Sequence, residues 1–146
     1  MNQLFEMLLS RGYSPTNKAH GRIGFDDVLE AIKSPGSHYL INTLPITEQD
    51  CLIHNTLPCD KEEELINTLL ESYEINTKKI ILYGKNGCDN TVYAKYDQLT
   101  KLGIAGVHIY VGGLFEWLLL RDVYGSALFK LKGSTDDILK YRPPLY

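Results

Sequence analysis

The stretch that most constrains the fold is Lys79–Trp117, KIILYGKNGCDNTVYAKYDQLTKLGIAGVHIYVGGLFEW. Ile80-Ile81-Leu82-Tyr83 is a continuous apolar run, the pattern of a strand buried on both faces. Gly84-Lys85-Asn86-Gly87-Cys88-Asp89-Asn90 carries two glycines and two asparagines and predicts a tight loop. Val92, Tyr96, Leu99 and Leu102 then recur at helical spacing, with Asn90 or Thr91 able to cap the start and Gly103 to stop it. Val107–Val111 predicts a second buried strand, and Gly112-Gly113 opens a helix over Leu114–Leu120. A helix start facing a glycine-bearing loop after a central strand gathers backbone N–H groups, so any chemistry is expected at Gly84–Thr91.

The flanking sequence extends the alternation. Arg22–Phe25 predicts a short first strand, and Asp26-Asp27 are placed to cap a helix over Val28–Lys33. Ser34-Pro35-Gly36-Ser37 breaks it, and His38–Thr43 predicts a strand. Leu44–Asp50 is an excursion, and Cys51–His54 a further short strand. Asp60 is the candidate N-cap of a helix running to about Tyr73, with Leu65, Ile66, Leu69, Leu70 and Tyr73 facing the core. Glu62–Glu64 in its first turns suit the helix dipole as a solvated face; a metal or acid patch is the functional alternative. The last helix is expected to end near Tyr124-Gly125, with a short extended piece at Leu128–Leu131. Strands alternating with helices predict an α/β domain whose mostly parallel sheet is covered on both faces.

This pattern resembles the rhodanese-like domain. Tyr83, Gly87, Leu99, Leu102-Gly103-Ile104, Val107, Gly112-Gly113 and Trp117 follow that family's order of loop, helix, Val-rich strand, Gly-Gly turn and Trp. The resemblance implies a single domain with a five-stranded, mostly parallel sheet and helices on both faces. It covers residues 22–132, leaving 1–21 as an N-terminal helix and linker and 133–146 as a C-terminal tail. Leu4, Phe5, Leu8 and Leu9 give the N-terminal helix an apolar face for packing or for a partner. In the tail, Ser134 or Thr135 is the candidate cap of a turn through Ile138, Pro143-Pro144 forces an extended end, and the whole either docks on the sheet or binds a partner.

The resemblance also implies a site. The family's loop reads Tyr-Cys-x-x-Gly-x-Arg-Ser, and its Cys holds sulfane sulfur as a persulfide that loop N–H groups stabilise. Here Gly84 stands at the Cys position, Asp89 at the Arg and Asn90 at the Ser. The family's Asp-x-Arg after the second strand is Asn42-Thr43-Leu44. The expectation is therefore a catalytically silent scaffold used for binding or regulation. A carboxylate at position 89 repels thiosulfate and disfavours a thiolate beside it; its other role is to accept N–H bonds and hold the loop. The alternative is a sulfurtransferase whose nucleophile is Cys88, four residues later, since a helix N-terminus favours a thiolate. A phosphatase use of the same scaffold is rejected, because Tyr83-Gly84 replaces His-Cys. GKNG is not a Walker loop either.

Composition narrows the partners. A net charge of −3 over 146 residues lacks the basic footprint of a nucleic-acid binder. No apolar run reaches the roughly 18 residues of a membrane span. The start of the chain is a poor signal peptide, so a cytoplasmic location is expected. Cys51, Cys59 and Cys88 form no CxxC, and His20, His38, His54 and His108 have no metal spacing, so no metal or cofactor is implied. The partner expected at the loop is an unidentified protein's acidic group or a small anion, contacting Lys85 and the amide N–H groups of Gly84–Thr91. Trp117 with Phe115 reads as core near the Gly-Gly turn.

Overall fold

The computed structural model describes residues 21–72 and 78–144. The N-terminal helix face, most of the linker that follows it, and Tyr73 lie outside the described residues.

The central strand β4 (Lys79–Tyr83) lies between β5 (Val107–Tyr110) and β2 (His38–Asn42), and β1 (Arg22–Ile23) adds to β5. All these pairings are parallel, in the order β1-β5-β4-β2. Period-two alternation splits β4 between two cores. Ile81 and Tyr83 pack with Phe25 and Val28 of helix α1 (Phe25–Lys33) and with Leu114 and Trp117 of α4 (Gly113–Tyr124). Ile80 and Leu82 pack on the other face with Ile66 and Leu69 of α2 (Cys59–Glu71) and Leu99 of α3 (Thr91–Lys101). Burial on both faces is why β4 needs no polar residue from Ile80 to Tyr83.

Among the described residues the sheet has four strands where five were expected. The fifth position is reduced to one parallel bridge, Leu40 to Thr56, with Leu57 N–H donating to Leu40 O at 2.7 Å. Pro58 follows at once, offers no N–H to a ladder, and stands at the N-cap position of α2 without a side-chain cap bond. The short strand β3 (Cys51–Ile53) is drawn off instead into an antiparallel pair with β6 (Leu131–Gly133). The extended piece expected at Leu128–Leu131 thus begins later.

Several helix ends also differ from expectation. α1 starts at Phe25 with Gly24 as N-cap, and Asp27 Oδ2 accepts the Gly24 N–H at 3.3 Å. Asp60 lies inside the first turn of α2 rather than at its cap. Leu70 and Leu102 are exposed, because α2 and α3 bury only a narrow stripe each. Gly125 stops α4 at positive φ, as its position implied. In the tail, Asp137 rather than Ser134 or Thr135 caps a short 3₁₀ turn, Ile138–Tyr141, by accepting Leu139 N–H at 3.1 Å. Tyr141 is fully buried in the same core as Trp117, so the turn Ile138–Tyr141 packs on the domain.

Candidate functional site

The loop after β4 is built on backbone contacts before any side chain acts. Gly84 O accepts Leu114 N–H at 3.0 Å and Lys85 O accepts Phe115 N–H at 2.9 Å. The first turn of α4 thereby satisfies two of its own orphan donors with the loop's carbonyls. This close approach requires Gly113, whose φ is 67° and whose added Cβ would lie 2.8 Å from Gly84 O.

Asp89 organises the inside of the loop. Its Oδ2 accepts Lys85 N–H at 2.9 Å, and its Oδ1 accepts Thr91 N–H at 3.0 Å and Thr91 Oγ1–H at 2.6 Å. Asp89, not Asn90 or Thr91, therefore caps the start of α3; Asn90 is the residue at the N-cap position, but its side chain makes no cap bond. A Cβ built on Gly84 would lie 2.6 Å from Asp89 Oδ2 and 2.9 Å from its Cγ. The carboxylate fills the space that a side chain at position 84 would enter.

Other loop donors are also used internally. Asn86 Oδ1 accepts Cys88 N–H at 2.9 Å, and Asn86 O accepts Asp89 N–H at 3.2 Å. Asn86 Nδ2 donates to Tyr141 O at 3.0 Å and Arg142 O at 3.2 Å, tying the tail to the loop. Lys85 Nζ is 3.4 Å from Glu48 Oε2, so its charge is paired within the chain. Thr43 and Thr91 hydroxyls meet at 2.7 Å and join the end of β2 to the start of α3. Asn42 Oδ1 accepts Leu44 N–H at 3.1 Å and shapes the turn after β2. Gly87, Cys88 and Asn90 are exposed. Cys51 is buried in β3, Cys59 is exposed at the start of α2, and no metal-binding group forms among the described residues.

The electrostatics follow from these bonds. Burial alone pushes the Asp89 carboxyl up, but the Lys85 N–H, the Thr91 hydroxyl and N–H, and the Lys85 charge together hold it below its ordinary value. A carboxyl lowered on folding stabilises the fold above its unfolded range and loses that contribution as pH falls through the folded value. Asp89→Asn is expected to flatten the acid limb of stability, measured by urea denaturation from neutral to low pH. An unchanged limb would count against the hydrogen bonds assigned to Asp89. Behind the loop, Tyr83 is fully buried; its hydroxyl lies 2.6 Å from Thr56 Oγ1 and accepts Ile53 N–H, and desolvation pushes its titration far up.

No family model and no curated protein matches the sequence. Solved structures do match. The rhodanese-like domain of an Anabaena protein superposes with a TM-score of 0.53 at 15% identity, over 86% of this chain and 86% of that one. The fold is rhodanese-like. A full-length protein from Lactobacillus plantarum matches with a TM-score of 0.57 at 15% identity, over 92% and 100% of the two chains. A thiosulfate sulfurtransferase from Pseudomonas aeruginosa matches with a TM-score of 0.56 at 13% identity, over 94% of this chain but only 25% of the enzyme.

Two residues outside the loop, Glu48 and Tyr141, escaped the sequence reading, as did the distant contact of Asn86, itself part of the predicted site. Asn86 ties the loop to carbonyls 55 and 56 residues away. Glu48 is the counter-ion of Lys85. Tyr141 supplies one of the carbonyls that Asn86 binds. Asn in a Gly-rich loop signals only a turn; no local pattern tells which distant backbone its amide will meet.

Proposed function

We propose that this rhodanese-like domain has no sulfurtransferase activity at the loop and acts as a binding or regulatory module. One observation carries the reading: the Asp89 carboxylate occupies the space beside Gly84 and accepts the Lys85 N–H. Sulfur transfer needs a thiolate at the point where the loop's N–H groups converge. Here that point holds a fixed anion of the chain itself, which repels thiosulfate and leaves no donor at Lys85 N–H for a persulfide.

The alternative nucleophile, Cys88, has an exposed thiol in its favour. Against it, the Cys88 N–H is committed to Asn86 Oδ1, and the carboxylate follows directly in sequence. The deciding measurement is sulfur transfer from thiosulfate to cyanide, with mass detection of persulfide on the intact protein. The expected rate equals the uncatalysed background and Cys88 stays unmodified. Turnover that disappears in Cys88→Ser would overturn the proposal.

The partner is proposed to be a protein or a small anion. An anion at the loop competes with Asp89 for the Lys85 N–H and with Glu48 for the ammonium. That competition favours a surface away from the loop.

The fit between positions 84 and 89 has its own test. Gly84 has no positive φ, and the atoms nearest an alanine methyl there are Asp89 Oδ2 at 2.6 Å, Cγ at 2.9 Å and Cβ at 3.1 Å. Gly84→Ala is expected to cost about 1–3 kcal/mol as overpacking. Asp89→Ala is expected to cost about 1–2 kcal/mol as a lost cap. In the double variant the alanine methyl enters the vacated space, so the costs fall short of additive by about 1 kcal/mol or more. Strict additivity in urea denaturation would contradict the contact.

A further inference from the structure

We propose that the cleft beside the open edge of β2 binds a small organic anion with a flat apolar body. The cleft, about 630 Å³, opens where the fifth strand shrinks to the Leu40–Thr56 bridge. That volume lies in the range of small-molecule sites, roughly 300–1,000 Å³. Its apolar lining includes Pro35, Tyr39, Leu57 and Pro58, and its basic groups are His38, His54 and Lys132. Among the described residues no Asp or Glu lines it, although the chain as a whole carries a net charge of −3. Two imidazoles and an ammonium supply N–H donors, and no carboxylate competes for them.

The walls are held before any ligand arrives. Asn55, at a φ of 67°, donates its side-chain N–H to Ile32 O at the end of α1. His54 N–H donates to Lys130 O, which fixes that turn against the start of β6. Thr56 Oγ1 donates to Ile53 O at 2.6 Å and meets the buried Tyr83 hydroxyl behind it. His38 Nδ1 is 3.0 Å from Ser37 Oγ, which restrains the ring. Preformed walls lower the ordering cost of binding. The ligand class follows from the lining: a sulfonate, carboxylate or phosphate head for the basic groups, and an aromatic body for Tyr39, Leu57 and the prolines.

The experiment is calorimetric titration of the full chain with naphthalene-1-sulfonate, naphthalene-1-sulfonamide and inorganic phosphate. The sulfonate is expected to bind about tenfold tighter than either the neutral amide or phosphate. The triple variant His38→Gln, His54→Gln, Lys132→Gln should lose at least that factor. Lys132→Glu, at an exposed position, should do so with the fold intact by circular dichroism. Equal binding of sulfonate and amide, sulfonate binding unchanged in these variants, or no binding at millimolar probe overturns the proposal. The result is independent of the sulfur-transfer assay, because the cleft and the loop share no residue.

Discussion

Trp117→Ala is expected to cost about 3–5 kcal/mol, a large part of the stability of a domain this size. Trp117 has no exposed surface, and it sits edge-on to Phe129 at 5.0 Å and to Tyr110 at 6.3 Å between centroids. Its Nε1–H donates to Lys130 O at 3.0 Å. Truncation removes the indole from two aromatic contacts, leaves a cavity between α4 and the sheet, and takes one of two donors from that carbonyl, which keeps the His54 N–H. In urea denaturation the midpoint should fall sharply with little change in slope. Trp117→Phe keeps a ring but loses the donor, and is expected to cost about 1–3 kcal/mol. A loss below about 1 kcal/mol in the alanine variant would mean the indole is not packed as described.

Gly113→Ala is expected to be nearly as damaging, for a different reason. A φ of 67° costs an L-residue about 1–2 kcal/mol. The methyl would also meet Gly84 O at 2.8 Å and Asn86 N at 3.0 Å, both backbone atoms of the loop. Neither can move without breaking the bonds to Leu114 and Phe115, so overpacking adds about 1–3 kcal/mol. The expected total is about 2–5 kcal/mol. The variant should also speed exchange of the Leu114 and Phe115 amides, read by hydrogen exchange. Gly103→Ala is the control: its φ is also positive, but nothing lies near its Cβ, so only the conformational cost applies. Equal losses at the two glycines would rule out a clash with the loop.

The two glycines mark how far sequence reasoning reached. In the sequence Gly103 stops one helix and Gly112-Gly113 opens another, yet only the three-dimensional packing distinguishes a glycine in open space from one under a neighbouring backbone. The same holds for the acids. Asp89 was read either as repelling a substrate or as holding the loop; its inward turn depends on where α4 fixes the carbonyls of Gly84 and Lys85. Asp60 precedes an apolar run as a helix cap does, yet the helix begins at Cys59, which puts Asp60 inside the first turn and Pro58 at the N-cap position.

The alternation of strands and helices, the central place of Ile80–Tyr83 and the absence of a thiol at position 84 are legible in the residues alone. Those properties rest on period, apolar runs and residue identity, which are local. The pairing of β3 with β6, the bond from Asn86 to the tail and the Asp89 carboxylate beside Gly84 emerge only once the chain is folded. Each of these depends on which groups distant or oppositely directed segments bring within hydrogen-bonding range, and no local pattern encodes that distance.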